Sequence, residues 1–140
     1  MTQTELAEEA FWNKVWFPSC EEDRWLWTGT CQSDGYGQFR VDGGRVGAHR
    51  FAYQSEVGPI SNGLTIDHLC RTRNCVNPSH MEAVTLKENI LRGTGRGALH
   101  ARQTACIYGH EFTEKNTYLH PNGSRRCRAC RRRRWHDRGN

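Results

Sequence analysis

The sequence predicts a small α+β protein made of two units, a mixed helix–strand body followed by a short, strongly basic unit. Three observations predict it. Strand-like and helix-like apolar periods alternate, separated by Gly, Pro and Asn turn signals, through the first two thirds of the chain. Charge then reverses: residues 1–91 carry 8 Lys/Arg against 12 Asp/Glu, and residues 92–140 carry 12 against 3. The apolar fraction is only 36%, with a mean hydropathy of -0.84. So thin a core normally needs staples, and the seven cysteines are the obvious ones.

The elements follow in order. Thr4 to Val15 suits a short helix with Leu6, Ala10 and Phe11 on one side, limited by Pro18. Trp25–Thr28 reads as a strand, and Asp34-Gly35-Tyr36-Gly37 as a turn into a second strand, Gln38 to Val41. Asp42-Gly43-Gly44 turns the chain into Arg45–Ala48, and His49 to Gln54 reads as helix until Gly58-Pro59. Asn62-Gly63 leads into Leu64–Ile66, a strand ending at Asp67-His68. Cys70 to Pro78 is polar and irregular, and Met81–Val84 makes another strand. Thr85-Leu86-Lys87-Glu88 is a capping box, which starts a helix with Asn89 in its first turn and with Leu86 and Ile90 facing inward. The domain boundaries predicted are 1–92 for the body, 93–105 for a flexible linker marked by Gly93, Gly95 and Gly97, and 106–140 for the basic unit. That last unit, which runs from Cys106 to about Arg138, holds a hairpin around Pro121-Asn122-Gly123 and a basic helix from Arg128.

No apolar run approaches the roughly 18 residues that span a bilayer. The start, MTQTELAEEAFW, lacks the basic and apolar regions of a signal peptide. The expected setting is cytoplasmic, with no membrane partner. Thiols stay reduced there, and clustered cysteines bind metal more often than they pair.

The clearest cluster is Cys106-x3-His110 with Cys127-x2-Cys130, two ligand pairs separated by a hairpin, as a tetrahedral structural zinc site requires. A second run, Cys70-x4-Cys75-x4-His80, offers three ligands from one loop. Its fourth must be Cys20 or Cys31, which flank the Trp25 strand, with Cys20 preferred. Four protein ligands leave no position for substrate, so both zinc sites are structural. A third set carries chemistry. Asp67 and Asn89 offer hard oxygen ligands suited to Mg²⁺ or Mn²⁺, and His68 beside them can take a proton near neutral pH. Asp-His at a strand end can equally cap a loop, and Asn89 can simply decorate a helix, so these residues alone do not decide.

The run Ile66-Asp67-His68-Leu69-Cys70, Cys75-Val76-Asn77-Pro78-Ser79-His80-Met81, Val84-Thr85 and Glu88-Asn89 resembles the HNH endonuclease motif. It is especially similar to the zinc-binding phage and bacterial subgroup, and its order of His and Cys is similar to the His-Cys box homing endonucleases. Trp25-x-Trp27-Thr28-Gly29, Gly35-Tyr36-Gly37 and Ala48-His49-Arg50 extend the likeness from about Trp25 to Gly93. The resemblance implies a zinc-stabilised ββα-metal (His-Me finger) nuclease fold. It makes His68 the general base, gives the catalytic metal to Asp67 and Asn89, and gives zinc to Cys70, Cys75 and His80. The chain departs from the pattern at His80, where the wider family often has its central Asn, and at Arg24, where relatives often have a Cys.

The implied function is metal-dependent hydrolysis of double-stranded DNA, with other phage or mobile-element proteins as further partners. Arg50 and Arg92 are candidate phosphate contacts, as are Arg125, Arg126, Arg128, Arg131, Arg132, Arg133 and Arg134 around the last two cysteines. A solvated basic tail is the plainer alternative. Two other functions compete, a non-catalytic zinc-dependent DNA-binding protein and an RNA-directed nuclease. A pure binder has no need of the Asp67-His68 and Asn89 set, whereas nothing in the sequence separates DNA from RNA.

Overall fold

The computed structural model describes residues 1–20 and 23–136, the last two as backbone only; the final positions of the basic unit, 137–140, lie outside the described residues. The chain divides into two compact units, 1–92 and 93–140.

The first unit begins with helix α1, Gln3–Trp12, opened by a complete capping box between Thr2 and Glu5. It is shorter than its apolar pattern predicts, because Val15–Trp16 (β1) leaves the helix to pair antiparallel with Leu26–Trp27 (β2). Leu6 and Ala10 are exposed; only Phe11 of the expected stripe is buried. Gln38–Val41 (β3) and Gly44–Gly47 (β4) form a hairpin that runs straight into helix α2, Ala48–Glu56. Leu64–His68 (β5) pairs antiparallel with Met81–Thr85 (β6), setting Asp67 opposite Glu82 and His68 opposite Met81. The capping box at Thr85 and Glu88 then opens helix α3, Leu86–Arg92, which packs on both strands.

Phe11 is the hub of the core. It stacks on Trp27 at 4.9 Å between ring centroids and also meets Trp12, Phe39 and Phe51. Val15, Ala48, Ala52, Ile66, Val76 and Met81 complete the cluster. Gly37 is required by this packing, since a Cβ there would lie 2.5 Å from the Trp27 ring. Leu86 and Ile90, expected to face inward, are 62% and 49% exposed. On so short a helix, packing against a two-stranded hairpin covers only a narrow stripe.

The second unit opens with helix α4, Arg96–Arg102, inside the segment that its glycines mark as a linker. Gly95 serves as its N-cap, and the run Ala-Leu-His-Ala-Arg has enough helix propensity to continue. A hairpin of Thr117–Leu119 (β7) and Arg125–Cys127 (β8) follows, and then helix α5, Arg128–His136.

Candidate metal and nuclease site

Two strands and a helix frame the site in the first unit. Asp67 and His68 are the last residues of β5, both buried, and half-buried Asn89 lies on α3, packed against that strand. Between β5 and β6 the chain makes a long loop and a single 3₁₀ turn, Pro78–His80. That loop is held from outside. Val76 N–H donates to the Trp25 carbonyl, Trp27 N–H to the Asn74 carbonyl, and the buried Asn77 amide to the Asp23 carbonyl at 2.8 Å.

His68 is fixed by the same loop. Its Nε2 lies 3.0 Å from the Cys75 carbonyl oxygen. A carbonyl only accepts, so Nε2 carries the proton and the lone pair of the neutral ring sits on Nδ1. Tyr36 and His49 flank the ring, with centroids at 5.7 and 5.0 Å. Burial is the main reason that His68 titrates below the ordinary histidine range; the Cys75 bond and Asp67 pull the other way. His49 is pushed down to about 4, first by burial and then by His68 and Arg50. Two neutral imidazoles therefore stand side by side at neutral pH.

Asp67 is 2% exposed. Its Oδ1 accepts from Arg71 Nη1 at 2.7 Å. Its Oδ2 is buried with no hydrogen-bond partner, and Arg92 Nη1 stands 3.7 Å away. A buried carboxylate oxygen lacking a donor is costly, and a hard divalent cation is a group that would satisfy it.

Cys70, Cys75 and His80 converge, with ligand atoms all within 4.8 Å of one another. Cys75 Sγ and His80 Nδ1 are 3.6 Å apart. Burial pushes the Cys75 thiol up to about 11, so a cation at the sulfur is needed to make it a thiolate near neutral pH. Among the described residues neither Cys20 nor Cys31 joins this group; both are exposed, and Cys31 instead bridges to Gly37. The expectation that one of them supplies the fourth ligand therefore finds no support in the geometry. Cys20 lies on an exposed bend before β2, and Cys31 is held after β2 by its bridge to Gly37.

In the second unit Cys106, His110, Cys127 and Cys130 form a complete four-ligand group. The Cys106 and Cys130 sulfurs are 3.6 Å apart, and each is 3.4 Å from His110 Nδ1. The edges of a zinc tetrahedron with these ligands are about 3.6–3.8 Å, which follows from the usual zinc–ligand bond lengths. The arrangement fits zinc closely.

The arginines divide. Arg92 pairs with Glu82, and Arg50 is half-buried on α2. Arg125 donates to the carbonyls of His100 and Gln103, at the end of α4, and stacks on Phe112 at 4.8 Å. Arg128 donates to the Thr117 carbonyl, and Arg131 lies over the Tyr118 ring. Arg126 and Arg132 to Arg134 are exposed. The sequence does not single out Arg71, His49 or Tyr36 as site residues; His49 and Tyr36 come to the site from other elements, and Arg71 lies four residues after Asp67 in the loop that follows β5.

Residues 46–91 match the family model described as HNH endonuclease. Two curated phage proteins are similar. Protein 7.7 of Escherichia phage T7 is 38% identical over 68 residues, covering 49% of this chain and 52% of that protein. The uncharacterized gene 5.3 protein of Enterobacteria phage T3 is 31% identical over 65 residues, covering 42% of this chain and 64% of that protein. The chain thus spans between about half and two thirds of the length of these relatives. No solved structure matches. The first unit carries an HNH-type nuclease-like domain, and the chain holds two Cys/His clusters of metal-binding character. Among the described residues no helix is long and apolar enough to cross a membrane.

Proposed function

We propose that the protein is a metal-dependent endonuclease that hydrolyses phosphodiester bonds of double-stranded DNA, with His68 as general base. One observation carries this more than any other. His68 Nε2 is committed to the Cys75 carbonyl, which leaves Nδ1 as the acceptor of a buried ring, and the preceding residue, Asp67, keeps a buried oxygen that lacks a hydrogen-bond donor. A loop cap would satisfy that carboxylate; a catalytic carboxylate keeps an oxygen for a cation.

Asp67 and Asn89 would hold a single Mg²⁺ or Mn²⁺. That ion would neutralise charge on the scissile phosphate and the leaving oxygen. His68 accepts a proton from the attacking water, and burial keeps the imidazole in the required neutral form. The Cys75 carbonyl holds the ring's tautomer and tilt, so the Cys70–Cys75–His80 cluster acts on catalysis through the loop it pins. Zinc in the four-ligand cluster of Cys106, His110, Cys127 and Cys130 is structural, the three-ligand group of Cys70, Cys75 and His80 would hold zinc to brace its loop, and the exposed arginines of α5 supply phosphate contacts to the duplex.

The test is incubation of the full chain with supercoiled plasmid and Mg²⁺ or Mn²⁺, beside His68→Ala. Loss of a general base should slow cleavage by about 10²–10⁴-fold while zinc content and fold are retained. Cleavage by His68→Ala at the parent rate removes His68 from the chemistry. No cleavage by either protein on any duplex, with zinc present, sinks the nuclease function.

A further inference from the structure

The carboxylate assigned to the catalytic cation is already neutralised by a guanidinium. Arg71 Nη1 holds Asp67 Oδ1 at 2.7 Å, and its Nη2 donates to the Arg92 carbonyl at 3.2 Å. Arg92 is the last residue of α3, the helix that carries Asn89. Arg71 therefore spans the two elements that would supply the metal ligands. We propose that Arg71 is a cationic placeholder, which holds Asp67 in the protein without a divalent ion and passes to a DNA phosphate when the ion binds. The inference rests on Asp67 as a metal ligand and adds a coupling between metal loading and DNA binding.

Three observations support an exchange rather than a fixed structural pair. The carboxylate is 2% exposed and the Arg71 side chain 49%, so the guanidinium can leave toward solvent without dragging the carboxylate out. Arg71 sits at φ 56, a left-handed conformation that costs a residue bearing a side chain free energy and that the surrounding loop must hold. The two arginines near Asp67 are also unequal. Arg92 has Glu82 as its own carboxylate, whereas Asp67 is the one carboxylate paired with Arg71 among the described residues.

A divalent ion on Asp67 Oδ2 and the Arg71 guanidinium on Oδ1 repel each other, and the ion weakens the hold of the carboxylate on Arg71. That repulsion favours release of Arg71, and the half-exposed guanidinium then takes a new anion. A phosphate oxygen is the natural one, since the planar fork of Arg matches phosphate geometry and the cation would already draw phosphate to the site. By linkage, the two binding events strengthen each other equally.

The experiment uses the full zinc-loaded chain in a His68→Ala background, which suppresses cleavage. Mn²⁺ affinity is measured by electron paramagnetic resonance without DNA, for Arg71, Arg71→Ala and Arg71→Gly, the last suited to the positive φ. Removal of the placeholder should tighten Mn²⁺ binding by about ten-fold, a typical coupling. Unchanged or weaker binding in the folded variants overturns the proposal. Duplex affinity is then measured with and without Mn²⁺. With Arg71 in place Mn²⁺ should strengthen DNA binding, and the variants should lose most of that gain. If they lose DNA affinity equally with and without Mn²⁺, Arg71 is a standing phosphate contact and the exchange is wrong. Asp67→Ala separates the two levels. Mn²⁺ binding that survives it defeats the metal-site assignment itself, whereas Mn²⁺ binding that it abolishes leaves the Arg71 result to decide the placeholder alone.

Discussion

The two units of this chain solve the same problem by different means. The first buries Phe11, Trp27, Phe39, Ile66, Val76 and Met81 in one cluster and uses its Cys/His group only to pin a loop. In the second, Ala98 and Cys127 are the buried apolar residues among those described, while Ile107 is 85% exposed and Tyr108 and Leu119 also face solvent. So small a unit cannot bury enough apolar surface to offset chain entropy. Its four-ligand cluster stands where a core would be. The contrast teaches that the same residue types serve as a local brace where a core exists and as the fold's main support where none does.

Metal removal should break the two units apart most strongly. Structural zinc contributes roughly 10–16 kcal/mol of apparent binding free energy in zinc-finger peptides. Strong chelator should therefore unfold residues 106–134 while α2 and the β3–β4 hairpin stay folded. Hydrogen exchange read segment by segment checks this. If β3–β4 and β7–β8 lose protection together, the second unit does not depend on metal in the way its burial pattern implies.

A core truncation should act on the opposite unit. Phe11→Ala removes the ring at the centre of four aromatic contacts. Its expected cost is about 3–5 kcal/mol, seen as a lower denaturant midpoint for the first unit. Zinc bound by Cys106, His110, Cys127 and Cys130 should be unchanged by elemental analysis. Loss of that zinc would mean that the first unit's core also supports the second.

The smallest effect sharpens the comparison within the second unit. Arg132 is exposed, whereas Arg125 is spent on α4 carbonyls and Phe112. Arg132→Ala should flatten the slope of log affinity against log salt by about 0.9 if it touches one phosphate. Arg125→Ala should leave the slope alone and lower the unit's thermal stability. Duplex titrations at several salt concentrations decide it, and equal slope changes would return Arg125 to the phosphate surface.

The amino-acid sequence by itself determined the features whose partners are close along the chain. The pairs Cys106/His110 and Cys127/Cys130, the Cys70–Cys75–His80 run and the Thr85/Glu88 cap all lie within a few residues of their partners, so spacing alone implies contact. The strand ending in Asp67-His68 was legible for the same reason, as a short apolar run between turn signals. The sequence was less informative where local signals compete. Three glycines hid α4, and a helical period at Leu86 and Ile90 suggested burial that a two-stranded hairpin cannot provide. Only the tertiary structure decided what surrounds the base and its neighbouring carboxylate. His49 comes from α2 and Tyr36 from the turn before β3, while Arg71, four residues after Asp67, also donates to the Arg92 carbonyl at the end of α3. It also left Cys20 and Cys31 outside the first cluster, although their sequence positions beside β2 made both plausible. The reason is physical: a helix or a ligand pair is fixed by neighbours a few residues away, whereas a buried charge or an imidazole takes partners from wherever packing brings the chain together.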